Sequence, residues 1–280
     1  MIPSHPPSFL IEKIARAALE EDIGWRDLTS SILGDIEAIG VISAKEEGVL
    51  CGIQLAREVF KILQEDCQFN PFLNDGDSFS KGSNIAEIRG KAKALLGGER
   101  VALNFLQHLS GIATLTRKFV EKIKGTKAKI LATRKTIPLL RALEKYAVEV
   151  GGGYSHRFAL YDGILIKNNH IAIIGSVKET VKIAKEMFPF FKIEIEAGNL
   201  EEVKDAIDAG ADIVLLDNMK IVEIREAVKI AQGKVMLEAS GGISLDNVRE
   251  IAEAGVDFIS IGALTHSAKA IDIHMEVKRL

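Results

Sequence analysis

Two spacings of apolar residues divide this chain near Lys127. Before that point, Phe9, Leu10, Ile14, Ala17, Ala18 and Leu19 recur at helical intervals and predict an amphipathic helix over Phe9–Leu19. A polar loop, Glu21–Ser30, follows it. Ala38–Lys45 and Gly48–Cys51 read as short strands around a Glu46-Glu47-Gly48 turn, Gln54–Leu63 as a helix and Ile85–Arg89 as a further strand. Asn74-Asp75-Gly76-Asp77 is a turn signal. Such short turns predict antiparallel pairing within a small α+β unit. A long helix is expected from near Gly98 through Ile123, with Leu103, Leu106, Leu109, Ile112 and Leu115 on its apolar face. Arg100 then falls in its first turn, where a cation opposes the macrodipole. It is either a tolerated exposed arginine or a hook for an anion.

Beyond Lys127 the pattern becomes alternation. Strands are predicted at Lys129–Ala132, Gly163–Ile166, Lys192–Glu196, Ile213–Asp217, Val235–Ala239 and Phe258–Gly262, with helices at Val177–Met187, Leu200–Ala209, Ile221–Ala231 and Leu245–Ala254. Strands and helices in this order mean parallel βα units. An internal echo, AGADIVLLD (Ala209–Asp217) against AGVDFISIG (Ala254–Gly262), repeats two units apart. Between the first two strands, Pro138 suits the first turn of a helix. That helix carries Leu139, Leu140, Leu143, Ala147 and Val150 and stops at Gly151-Gly152-Gly153.

In a βα barrel the C-terminal strand ends ring one mouth, where the active sites of this architecture lie. Lys167, Glu196, Asp217, Ser240-Gly241-Gly242 and Gly262-Ala263 would converge there, beside the basic stretch that holds Arg134, Lys135, His156 and Arg157. The Gly-Gly loop, late in the barrel and leading toward a helix capped by Ser244, suits a phosphate. Glu196 and Asp217 could work as acid and base, hold a divalent ion, bond sugar hydroxyls or pair with lysines. Metal and ribose contacts fit best, since the basic cluster implies phosphates. Arg134, Arg157 and Lys167 can grip carboxylates, the arginines in bidentate fashion. His156 could donate to the same acid or brace the Gly-rich loop. Glu238 lies inside a strand and is expected to be a paired structural carboxylate; Asn168-Asn169-His170 and Thr265-His266-Ser267 read as loop-shaping groups.

Composition narrows the classes. The chain has 280 residues, 47% hydrophobic and 27% charged, with a net charge of -3. A near-neutral chain with one dense basic cluster suits a small anion better than nucleic acid. No run approaches the ~18 apolar residues of a membrane span, and MIPSHPPSFLIEKI lacks the layout of a signal peptide. Cys51 and Cys67 read as buried thiols without a disulfide, which suits the cytoplasm. No nucleophile elbow, Walker loop or Cys/His metal cluster is found.

The motifs TRKTIPLLRALEKYAVEVGGGYSHR, LIKNNH, LLDNM, LEASGGI and ISIGALTHS, preceded by EDIGWRDLTS and ERVALNFLQHLSGIAT, resemble quinolinate phosphoribosyltransferase, the decarboxylating nicotinate-nucleotide pyrophosphorylase. The match covers nearly the whole chain. The resemblance implies an N-terminal α/β sandwich (residues 1–112, with the tail 269–280 packed back on it) and an incomplete, TIM-like α/β barrel (residues 113–268). It implies a cytoplasmic enzyme that makes nicotinate mononucleotide, pyrophosphate and CO₂ from quinolinate and 5-phosphoribosyl 1-pyrophosphate, with Mg²⁺ and no organic cofactor. Quinolinate falls to Arg100, Thr133, Arg134, His156, Arg157 and Lys167, with Arg100 supplied by the partner in a homodimer that could assemble further into a hexamer. The phosphoribosyl group and the chemistry fall to Lys135, Glu196 and Asp217. Ser240, Gly241, Gly242, Ile261, Gly262 and Ala263 complete that half, and the two carboxylates hold Mg²⁺, directly or through water. The chain departs from the family pattern at Trp25, Ala132, Ile137 and Asn168, none of them a proposed ligand. Two rivals are a related protein of molybdate transport systems, which lacks the lysine that Lys167 provides here, and a barrel that binds phosphorylated metabolites without chemistry.

Overall fold

A computed structural model describes residues 5–280; Met1–Ser4, where the reading of the N-terminus begins, lie outside them. The chain forms two compact units. The first runs through Arg117 and takes in Ala142–Gly152 and Ser267–Leu280; the second holds Lys118–Arg141 and Gly153–His266.

In the first unit lie α1 (Ser8–Ile23), β1 (Glu37–Ala44), β2 (Gly48–Val49), α2 (Ile53–Leu63), β3 (Gln68–Pro71), β4 (Ser78–Phe79), β5 (Asn84–Lys91) and most of α3 (Ala92–Lys122). The second unit starts its sheet with β6 (Lys129–Leu131). Then α4 (Arg141–Val150) returns almost entirely to the first unit. There follow β7 (Ile164–Ile166), α5 (Asn168–Ile174), α6 (Val177–Met187), β8 (Ile193–Ala197), α7 (Leu200–Asp208), β9 (Ile213–Asp217) and α8 (Ile221–Ala231). The chain closes with β10 (Met236–Ser240), α9 (Val248–Glu253), β11 (Phe258–Ser260), α10 (Ala263–His266) and β12 (Ile273–Arg279), the last in the first unit.

The first unit's sheet runs β12-β1-β5-β3, with antiparallel neighbours. Short turns are not the reason. No two neighbours in this sheet are consecutive strands, and β2 pairs with β4 instead of with β1. Residues alternate between buried and half-exposed along β1, so only one face of this sheet is covered. Strand β12, IHMEVKR, carries the same alternation in Ile273, Met275 and Val277 and is an element beyond those predicted above. Edge strand β3 ends in Pro71, where a missing N–H costs no ladder bond.

Helix α3 begins at Ala92, before the expected start near Gly98, so Arg100 sits well inside it and opposes no helix dipole. Gly97 and Gly98 do not stop the helix, because Gly98 lets the Phe60 ring pack against the backbone. Helix α4 likewise begins after Pro138. Leu139 takes a left-handed φ of 69° and points its side chain into solvent, which breaks the helix there. From Leu143 on, α4 buries its residues in the first unit: His108 Nε2 meets the wholly buried Glu144 at 2.8 Å, and Tyr146 Oη donates to Asp75 at 2.9 Å. Cys51 is buried and Cys67 half-buried, both as free thiols.

The second unit's sheet is parallel, ordered β6-β11-β10-β9-β8-β7: an incomplete, TIM-like α/β barrel. All of β8 is buried, as expected where a strand is covered on both faces. The internal echo has a physical basis. Asp212 accepts the Ile193 N–H at 2.8 Å and Asp257 accepts the Leu237 N–H at 2.9 Å, so the same Asp of each repeat ties down the start of a neighbouring strand. Among the described residues no helix is long and apolar enough to cross a membrane.

One loop carboxylate braces the first unit. Asp75 Oδ1 accepts the N–H groups of Gly52 and Ile53 at the start of α2, at 2.9 and 3.0 Å, while Oδ2 takes the Tyr146 hydroxyl. Asp75→Ala removes a cap and orphans a half-buried hydroxyl, an expected loss of about 2–4 kcal/mol that accelerates hydrogen exchange of the α2 amides. Asp75→Asn, which keeps an acceptor, loses less. Unchanged exchange in the alanine variant would refute the bracing role.

Candidate active site

The strand ends of the second unit surround a cavity of about 720 Å³. Just past β6 come Thr133, Arg134 and Lys135; His156 and Arg157 arrive on the segment before β7, and Lys167 closes β7. Glu196 and Asp217 stand at the ends of β8 and β9, followed by Ser240-Gly241-Gly242 after β10 and Ile261-Gly262-Ala263 after β11. Arg100 is not part of this group: it is exposed on α3, in the first unit. The cavity is also lined by residues outside the predicted binding set. Leu165 and Leu215 supply apolar surface, and Glu238, Ser260 and His266 supply polar groups. For His266 the available signal was its position four residues after Gly262.

Positive charge dominates one side. Arg134 and Arg157 are both half-buried and near enough that Arg157 is held below its usual pKa, first by burial and then by the Arg134 charge. Arg157 Nη1 donates to the Gly163 carbonyl at 3.2 Å. The Arg134 Nε–H is buried and meets no acceptor. An unpaired buried donor beside a second cation calls for an anion to complete it.

The carboxylates face this cluster. Glu196 is buried and already engaged: Lys167 Nζ donates to Oε1 in a short ion pair, and the Asn168 N–H donates to Oε2 at 3.0 Å. Asn168 also directs its side-chain amide to Asp217 at 3.4 Å. An aspartate at that position would place a third carboxylate here. Asn168 and its neighbours are thus the first turn of α5, not the loop the sequence suggested. Asp217 is half-exposed and accepts from Asn218 Nδ2 at 3.0 Å.

Two glycines on the far side are dictated by close approach. Gly241 has φ of 95°, and a Cβ there would lie 2.1 Å from Asn218 Oδ1; at Gly262 it would lie 2.8 Å from the Lys135 stem. The Lys135 carbonyl accepts the Thr265 hydroxyl at 2.7 Å, which fixes the strap between β6 and α10. Helix α9 starts only at Val248, because Asn247 Oδ1 accepts the Ser244 N–H and its Nδ2 donates to the Gly242 carbonyl, holding residues 242–247 as a turn. A phosphate here would meet the loop backbone itself, not the start of a long helix. Deeper in the barrel, His156, Glu194 and Glu238 bring ligand atoms within 4.8 Å of one another.

The same architecture is found in known proteins. Residues 27–110 match the model of the quinolinate phosphoribosyl transferase N-terminal domain, and residues 112–276 match that of its C-terminal domain. A probable nicotinate-nucleotide pyrophosphorylase [carboxylating] of Bacillus subtilis is 46% identical over 269 residues, 95% of this chain and 93% of that protein. One of Methanocaldococcus jannaschii is 46% identical over 279 residues, 95% of this chain and 97% of the other. The solved nicotinate-nucleotide pyrophosphorylase from Francisella tularensis superimposes with a TM-score of 0.94 at 41% identity, covering 99% of both chains. With both of its domains matched in order along one chain, this protein belongs to the quinolinate phosphoribosyltransferase family.

Proposed function

We propose that this protein transfers the phosphoribosyl group of 5-phosphoribosyl 1-pyrophosphate to quinolinate and releases CO₂, forming nicotinate mononucleotide and pyrophosphate for NAD biosynthesis. The observation that carries this reading is the paired Arg134 and Arg157, one with an unmet buried N–H, set opposite two strand-end carboxylates and a glycine-lined loop. A planar diacid suits the first half and a ribose 5-phosphate with its pyrophosphate suits the second.

The chain's own groups account for the chemistry. Arg134 and Arg157 clamp the ring carboxylates and aim the pyridine nitrogen at the ribose C1, converting an encounter of two solutes into a fixed approach. Lys135 and the backbone of Gly241 and Gly242 meet the phosphates. As pyrophosphate departs, C1 becomes oxocarbenium-like, and carboxylates already fixed nearby stabilise the positive charge without reorganising. The nitrogen lone pair forms the bond to C1 while the C1–O bond breaks toward pyrophosphate. The resulting pyridinium draws in the electron pair that the adjacent carboxylate leaves behind as CO₂, and a proton takes its place on carbon. No organic cofactor is required for that step.

Glu196 and Asp217 also fit Mg²⁺, which binds through one or two hard carboxylate oxygens and takes its other ligands from phosphate and water. Asp217, the more exposed, is the more available of the two; Glu196 would share its oxygens with Lys167. When bound, the ion would neutralise the pyrophosphate. We read the active species as a cytoplasmic homodimer, with Arg100 of one protomer completing the other's diacid site. Leu139, Leu160 and Tyr161, exposed on segments that follow Lys135 and Arg157, support a partner surface beside the mouth.

Purified protein given quinolinate, 5-phosphoribosyl 1-pyrophosphate and Mg²⁺ is expected to release pyrophosphate and CO₂ in equal amounts and to stop on chelation. Binding without CO₂ would favour a non-catalytic barrel or a different substrate. Arg134→Met removes about 1.5–3 kcal/mol of charge-assisted bonding, so the KM for quinolinate should rise about 10- to 150-fold with that for the ribose donor little changed; equal rises in both would count against the clamp. Arg100→Ala and Lys167→Ala chains, each inactive alone, should regain activity when mixed. A verified mixed dimer without activity would rule out the shared site.

A further inference from the structure

Residues 24–32 of the first unit invert the usual order of inside and outside. Asp27 is half-buried and Ser30 only 7% exposed, whereas Trp25, Leu28 and Ile32 are 101%, 74% and 82% exposed. The polar groups turn inward because they hold the segment together. Asp27 Oδ1 accepts the Ser30 N–H at 2.9 Å, the Ser31 hydroxyl donates to the Asp27 carbonyl at 2.6 Å, and Arg26 Nε donates to Ser31 Oγ at 3.2 Å. Three large apolar side chains are therefore held out in water by a braced turn. A clustered apolar patch of this kind marks an interaction surface, and tryptophan is enriched at the centre of such surfaces.

Two neighbouring features say what covers it. The first is Arg100. Arg26, Asp27, Ser30 and Ser31 face Lys93 and Gly97 of α3 across a cavity of about 360 Å³, and a Cβ on Gly97 would lie 3.6 Å from Ile23 Cδ1. Gly97 is three residues from Arg100, about 4.5 Å along the helix axis. The apolar turn thus stands beside the residue read above as reaching a partner's diacid. The second is a patch on the second unit, next to the groups that would receive that arginine. Leu139 follows Lys135, Leu160 and Tyr161 follow Arg157, and all three are exposed. Arg141 Nη1 donates to the Phe158 carbonyl at 3.2 Å, which ties the two stretches together. Asp162 accepts the Phe158 and Ala159 N–H groups at 2.6 and 2.7 Å, which fixes the turn that carries Leu160 and Tyr161.

We propose that Trp25, Leu28 and Ile32 dock on Leu139, Leu160 and Tyr161 of a second copy of this chain, and that this contact carries Arg100 to the partner's mouth. The inference rests on the shared-site reading above and assigns the surfaces that make it. Each chain carries both a plug and a seat. In a two-fold pair each meets its counterpart on the other copy, so the assembly closes instead of growing into a fibre. Trp25 is also a position where the chain departs from the family pattern, so the plug is partly this chain's own.

Trp25 is the single tryptophan of the chain, so its fluorescence reports the contact directly. In an isolated chain the indole is fully exposed and would emit where the urea-unfolded chain does. The expected result for the native protein is emission to the blue of the unfolded chain, weaker quenching by acrylamide, and a sedimentation mass of at least two chains. Tyr161→Asp lies in the other patch, yet should lower the mass and return the Trp25 emission to the red; Leu28→Asp should do the same. Phe190→Asp, at an exposed apolar residue outside both patches, should change neither. A native mass of one chain would overturn the proposal, as would an indole as red and as quenchable as in the unfolded chain, neither of which depends on a variant folding. An emission unmoved by Tyr161→Asp, or association lost in Phe190→Asp instead, would overturn it too. None of these measurements uses a substrate. A protein that fails to turn over quinolinate therefore counts against the proposed function, and an exposed indole against the docking alone.

Discussion

Parallel pairing in strict register is the constraint on which the site depends. Ser240 pairs with Asp217 on one side and with Ser260 on the other, Ser260 pairs with Leu131, and Ile166 pairs with Ile195. Parallel strands advance together, so whatever follows each one emerges at a common edge. Charges scattered over more than a hundred residues of sequence become neighbours for that reason alone. Side chains alternate across a strand, so a one-residue slip of β8 would turn both Glu194 and Glu196 from the interior to the helices. The half-buried aspartate ties at Asp212 and Asp257 oppose such a slip from the other end of the strands.

Within that frame, the mouth combines opposite charges that are only partly satisfied by each other. Lys167 and Glu196 form a closed pair, with Asn168 bridging on to Asp217. Arg134 and Arg157 have no such closure, and burial adds to the cost of holding them together. A site of this kind is destabilising when empty and is stabilised by whatever anion meets it, which is how preorganised electrostatics work.

Much of this was legible before any coordinates. Strand ends such as IVLLD and KIEIE carried both the parallel architecture and the identity of the residues at the rim, because an apolar run that closes on a carboxylate leaves that group where the strand emerges. What escaped had identifiable causes. Periodicity puts the start of helix α4 at Pro138, but Leu139 reverses the backbone hand, which no periodicity reveals. Its grouping with the first unit depends on Asp75 and His108, residues distant in sequence. Strand β12 had a clear alternation of Ile273, Met275 and Val277, but its partner β1 lies at the other end of the chain. Glu238 was rightly placed within a strand, yet nothing local showed that its neighbour would be another carboxylate and a histidine.

The stack of Leu215, Glu238, Glu194 and His156 beneath the mouth carries one further consequence. His156, Glu194 and Glu238 also line a second cavity at the opposite ends of the strands, so a thin layer of side chains stands between two openings. Loss of bulk from that layer would join the two chambers into one passage along the barrel.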